Sequence, residues 1–200
     1  MLRLRNEVFS VITVLAAVSL GACGDGVGVD TQATVRVLLT DAPVDYIEEA
    51  MVDIGAVELI PDDDGAPMML SADGTDGLVN LLELRNGVTM ILAEATIPAG
   101  SYTQLRLIVE AASVTLAGDN GGSTEMDLKV PSGAQTGIKL ILRVADDGEG
   151  PLVIAADETL VFTVDFDVSQ SFVIQGNPET PAGIHGVLFK PTLRVMVEAG

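Results

Sequence analysis

A chain of 200 residues with 29 acidic and 10 basic side chains carries a net charge of −19 at pH 7, so it repels polyphosphate and anionic lipid, and nucleic-acid binding is excluded. One cysteine excludes a disulfide scaffold, one cysteine with one histidine argues against a zinc site, and the lack of tryptophan removes the usual stacking surface for sugars. What remains is long enough for a single domain with a sizeable apolar core.

The N-terminal stretch reads as an address. Met1 to Glu7 contains Arg3 and Arg5, and Val8 to Ala22 is apolar or small throughout. A cationic start, an apolar run of roughly 7–15 residues and small residues before a cut make a secretory signal. A membrane-spanning helix would need about 20 apolar residues. The stretch Leu20-Gly21-Ala22-Cys23 resembles the bacterial lipobox, in which a peptidase cuts before the cysteine and lipid is joined to its sulfur. Residues 1–22 are therefore expected to be a lipoprotein signal peptide and Cys23 the lipidation site; the plainer alternative is a chance cysteine behind an ordinary signal. Acyl chains contribute about 0.8 kcal/mol per buried CH₂, so two or more hold a protein stably on a membrane. Gly24 stands where an Asp would retain a lipoprotein in the inner membrane of enteric bacteria, which points to the outer membrane in a host that has one. Loss of Arg3, Arg5 and Glu7 with the leader takes the net charge from −19 to −20. Residues 23–32, with GDGVGVDTQ after the cysteine, have no apolar period and form a flexible acylated tether of at most ~30 Å.

From residue 33 the pattern is strand after strand. Ala33, Val35, Val37 and Leu39 alternate with Thr34, Arg36 and Leu38, a period-2 signal. The same alternation recurs at Thr103–Val109, Ile138–Val144, Phe162–Val168 and Leu193–Val197. Turn signals separate the runs: PDDDG (61–65), PAGS (98–101), AGDNGG (117–122) and DDGEG (146–150). Pro98-Ala99-Gly100 reads as a hairpin turn, with Gly100 free to take positive φ, and Pro191 suggests an edge position or bulge. Only Val44–Met51 and Leu78–Arg85 suit short helical turns. Residues 33–200 are thus expected to form one all-β domain, an antiparallel β-sandwich of immunoglobulin-like or transthyretin-like kind with at most one or two short helices. The scarce cations Arg36, Arg106, Lys129, Lys139, Arg143, Lys190 and Arg194 are expected within strands, mostly opposite the apolar residues, where cross-strand pairing contributes a few tenths to about 1 kcal/mol.

Five segments in this order, LTDAPVDYI (39–47), IPAGSYTQLRL (97–107), VPSGAQTGIKL (130–140), VDFDVSQSF (164–172) and FKPTLRV (189–195), resemble the domain of unknown function 4382 family, found largely among bacterial envelope lipoproteins. The resemblance covers nearly all of the chain after the tether. It implies a β-rich domain outside the cytoplasm and implies no activity.

The sharpest candidate site is acidic. Asp165 and Asp167 lie two apart and project from one face of a strand, and Asp41 and Asp45 flank a Pro-containing turn after the first strand. Four such carboxylates supply part of the six to eight oxygens that calcium wants. Against this, Asp165 and Asp167 can pair with a cation on a neighbouring strand, and Asp41 can cap its own turn. No EF-hand loop is present. Hydrolytic chemistry finds little: His185 in GIHGV stands alone, and Ser132 in VPSGAQ lacks the G-x-S-x-G elbow. The expectation is a non-catalytic envelope module, held to the membrane through lipid on Cys23. Its partner would be an envelope protein, a glycan or a peptide strand added to a sheet edge, and a calcium-dependent adhesion or assembly domain is the alternative.

Overall fold

A computed structural model describes residues 31–41, 47–63, 65–70, 77–117, 123–130, 136–142, 150–177 and 183–200. The first half holds β1 (Gln32–Asp41), β2 (Ile47–Pro61), β3 (Met68–Met69), β4 (Leu78–Asn80), a 3-10 turn (Leu81–Leu84), β5 (Met90–Pro98) and β6 (Gly100–Ala117). The second half holds β7 (Ser123–Leu128), β8 (Ile138–Ile141), β9 (Leu152–Ile154), β10 (Thr159–Phe166), α1 (Val168–Ser171), β11 (Phe172–Asn177), β12 (Gly183–Phe189) and β13 (Leu193–Ala199). The chain is all-β and sandwich-like, as its alternation predicts.

One sheet has the order β13–β10–β1–β5. The other is built on the long β2–β6 pair, with β3 and β4 on the free side of β2 and β7, β8 and β9 along the free side of β6. β11 and β12 form a separate hairpin. Ala33, Val35, Val37 and Leu39 from β1, Leu160, Phe162, Val164 and Phe166 from β10, and Leu105, Leu107 and Val109 from β6 are all buried in one continuous cluster. The alternating positions of both sheets therefore face each other across a shared core, the arrangement that removes most apolar surface from water. Phe189 closes one end of that core, its ring centroid 6.2 Å from that of Phe166 and 5.2 Å from that of Phe172. Among the described residues, no helix is long and apolar enough to cross a membrane.

Not every strand pair is antiparallel. β1 and β10 run parallel, with Val35 opposite Leu160 and Leu39 opposite Val164, whereas β1 and β5 are antiparallel. A parallel pair needs a long crossover, and here nearly the whole second sheet serves as that connection.

The expected helical turn at Val44–Met51 is corrected: from Ile47 onward this is the start of β2. Its buried residues are Ile47, Ala50, Val52, Ile54, Val57 and Leu59, so two steps of three interrupt the period of two. Bulges cause them. Around Gly55 and Glu110 both strands carry an extra residue, yet Val52 still faces Ala112 and Val57 still faces Leu107. The two slips compensate. The second expected turn, Leu78–Arg85, divides into β4 and the 3-10 turn, whose N-cap Asn80 accepts from the Leu82 amide.

Two turn readings also change. Pro98-Ala99-Gly100 is no hairpin but a corner that carries the chain from β5 in one sheet to β6 in the other, and Gly100 keeps an ordinary φ. Tyr102 locks the corner, its hydroxyl donating to the Pro98 carbonyl at 2.7 Å, much as a tyrosine holds the corner of other sandwiches. Pro191 lies in the connection between β12 and β13, not within a strand. Four of the seven cations lie in strands as expected, and two of these pair across their ladders, Arg36 with Glu94 at 2.6 Å and Arg106 with Glu58 at 3.0 Å; Lys129 and Lys190 instead lie just past the ends of β7 and β12, and Arg143 lies outside the described residues.

Glycine substitution tests this packing. A Cβ on Gly137 would stand 2.5 Å from Cγ of Arg106, at a φ of +64°. A Cβ on Gly55 would meet only the exposed side chain of Glu110, from Oε1 at 2.4 Å to Cγ at 2.8 Å. Gly137→Ala is expected to cost about 1–2 kcal/mol or more in urea denaturation, from the left-handed backbone alone. Gly55→Ala should stay within about 0.5 kcal/mol of the parent, because Glu110 can swing into solvent.

Candidate functional site

Three of the five segments quoted above meet at one end of the first sheet. Asp41, the last residue of β1, faces Phe166, the last of β10, which in turn faces Leu193, the first of β13. Asp41 follows Val37 and Leu39 in phase and so turns inward, where it is only 6% exposed. A buried carboxylate is costly without hydrogen bonds. Its Oδ1 accepts from the amide of Val168, 127 positions away, at 3.3 Å. That amide is one of the donors left without an intrahelical partner at the start of α1.

Asp167 is the N-cap of the same short helix. Its Oδ1 accepts from the Gln170 amide at 3.1 Å and from the Ser169 hydroxyl at 2.6 Å, and its Oδ2 accepts from Gln170 Nε2. Partial burial pushes the Asp167 carboxyl up, but the Ser169 hydroxyl, both Gln170 donors and the charge of Arg194 outweigh it and hold the carboxyl below its ordinary value. Ser171 is fully buried and accepts from the Thr192 amide at 2.9 Å, while its carbonyl accepts from the Lys190 amide at 2.8 Å. The Asp167 amide donates to the Thr192 carbonyl at 3.0 Å. The helix is thereby tied to the connection that precedes β13.

Asp165 sits one register step from Asp41, opposite Thr40 on one side and Arg194 on the other. It therefore projects from the face opposite Asp41. Asp165 and Asp167 both lie close to Arg194, the first by register and the second through that residue's charge. Asp45, Ser132 and Cys23 lie outside the described residues. Among the described residues, no three His, Cys, Asp or Glu groups are placed to hold a metal ion. His185 is exposed on β12.

The carboxylates at this corner thus act on backbone amides. Their arrangement can fix the angle at which the β10–β11 crossover leaves the sheet, and hence where the β11–β12 hairpin stands. Ser171 and Thr192 are the participants that sequence reasoning missed. The available signal was Asp167-Val168-Ser169-Gln170, an acidic cap with Gln at the third helical position.

The model for the family described as "Domain of unknown function (DUF4382)" matches residues 32–191. No curated protein and no solved structure matches the chain.

Two variants separate the corner's parts. Asp41→Ala strands the Val168 amide in the core and is expected to destabilise by about 1–3 kcal/mol, whereas Asp41→Asn keeps an acceptor oxygen and loses less; equal losses in urea titrations would contradict the assigned bond. For Asp167, a folded pKa below the unfolded one gives stability that is complete above about pH 3.9 and lost as pH falls through the folded value. Asp167→Asn should therefore lose less stability than the parent between about pH 5 and about pH 2, measured by urea denaturation across that range.

Proposed function

The chain belongs to the DUF4382 family over residues 32–191, and we propose from this premise that it is a lipid-anchored lipoprotein of the bacterial cell envelope whose β domain is a non-catalytic binding or structural module. The anchor rests on the run Leu20-Gly21-Ala22-Cys23 behind an apolar core with Arg3 and Arg5 at its start. Lipidation at Cys23 puts the acylated end nine residues before Gln32, where β1 begins.

The observation that carries the non-catalytic part is the occupation of Asp41, Asp167 and Ser171 by backbone amides. General acid or base work needs a group within reach of a substrate proton, and Asp41 and Ser171 are buried against their own partners. The strongly negative charge keeps the domain hydrated and clear of anionic headgroups. Its partners in this reading are other envelope proteins or glycans, and its membrane is the outer one in a host that has two.

The test is direct. Cells expressing the full chain with an alkyne fatty acid should label it, and Cys23→Ser should abolish the label, leave the leader uncut and release less processed protein. A Cys23→Ser chain that is cut at the same place and stays equally in the membrane pellet would overturn the anchor. For the domain, hydrolysis of esters, peptides or glycosides by purified protein, lost on substitution of one residue, would overturn the non-catalytic reading.

A further inference from the structure

The corner between the two sheets encloses a cleft of about 460 Å³, lined by Pro61, Asp62, Asp63, Met68, the Pro98–Ser101 turn and Tyr102. That volume lies within the range of roughly 300–1,000 Å³ typical of small-ligand sites. Its walls have two characters. Pro61, Met68, Pro98 and the Tyr102 ring are apolar, whereas Asp62 and Asp63 are exposed acids, and among the described residues no basic side chain lines the cleft. The walls are held by backbone and side-chain bonds: the Asp62 amide donates to the Ser101 carbonyl at 2.9 Å, and Tyr102 bonds Pro98 at 2.7 Å. Ala99 donates to the Thr31 carbonyl at 2.6 Å, so the cleft lies at the end of the domain where the chain arrives from the tether. A Cβ on Gly100 would meet nothing within 4 Å. The room is real space beside the turn.

The charge of Asp63 is felt inside. Tyr102 has its hydroxyl pushed above its ordinary pKa, first by burial and then by the nearby carboxylate of Asp63. The protein's overall negative field draws cations toward every acidic surface, but an apolar channel beside two carboxylates selects among them. It suits a positive head carried on an aliphatic stem, since such side chains bury the stem and keep the head near water or a counter-charge.

We propose that this cleft is a docking site for a basic side chain, lysine or arginine, presented by a partner protein. Pro61, Met68 and Pro98 receive the methylene stem, and Asp62 and Asp63 receive the cation. This deepens the reading of the domain as a binding module and rests on it, but not on the lipid anchor, so failure here leaves the fatty-acid labelling result standing.

The test uses the full-length chain in neutral detergent micelles at physiological salt, labelled with ¹³C at the methionine methyl groups. The probe is Nα-acetyl-lysine N-methylamide, compared with its norleucine counterpart, which lacks the ammonium, and with ethanolamine, which lacks the stem. The lysine probe should shift the Met68 methyl signal with at least fivefold higher affinity than either. Asp62→Asn with Asp63→Asn should erase the advantage over norleucine. Gly100→Leu, which fills the space without changing charge, should weaken lysine and norleucine together. The control is the smaller acidic cleft of about 220 Å³ that includes Asp157 and Glu158, where Asp157→Asn with Glu158→Gln should change nothing at Met68. Equal binding of ethanolamine would overturn the proposal in favour of a bare ammonium such as a lipid headgroup. So would a Met68 signal that does not respond, or binding indifferent to both Gly100→Leu and the Asp62, Asp63 variant. Thermal melting of each variant confirms that it remains folded.

Discussion

The parallel ladder between β1 and β10 is the constraint on which the molecule depends. It joins the first strand of the domain to one near its end, residue by residue from Thr34–Thr159 to Asp41–Phe166. On its other side β1 is bonded to β5. A strand bonded on both edges and buried at every second position cannot slip, because a shift of one residue would expose Val35, Val37 and Leu39 together. The intervening chain has to return to this strand, and the second sheet is what it builds on the way. Such non-local pairing makes folding slow compared with helical proteins of similar stability.

The far end of that ladder explains the acids. Where β1 and β10 stop, the chain must turn through α1 into the β11–β12 hairpin while Phe189 stays packed against Phe166, stacked, and Phe172, tilted. Backbone amides at such a turn need acceptors. Asp41 provides one from the end of β1 and Asp167 another from the N-cap of α1, and Ser171 binds the returning segment. Charged groups here serve geometry, and the same polar contacts that look like a site in one dimension are the fastenings of a corner in three.

How much of this could be read from residues alone depends on regularity. β1, the middle of β6, β10 and β13 alternate strictly, and their inward faces follow from the pattern. β2 does not, since Ile47, Ala50, Ile54 and Val57 are spaced by threes and fours when Val52 is passed over, a spacing that mimics a helical face. The bulge opposite Glu110 that restores sense to it is a property of two strands and has no signature in one. Asp41 was legible as a turn acid but not as a buried one, because its partner is 127 positions distant. The cleft at the corner escaped because Pro98-Ala99-Gly100 looks the same whether it folds a hairpin or changes sheets.

The central position of β1 also has a mechanical meaning. Its hydrogen bonds to both neighbours lie across the strand axis, so a pull applied at Gln32 along that axis loads two ladders in shear at once. Bonds loaded that way must fail together, not one after another as in peeling an edge strand. A tug at this strand is resisted by both of its ladders together.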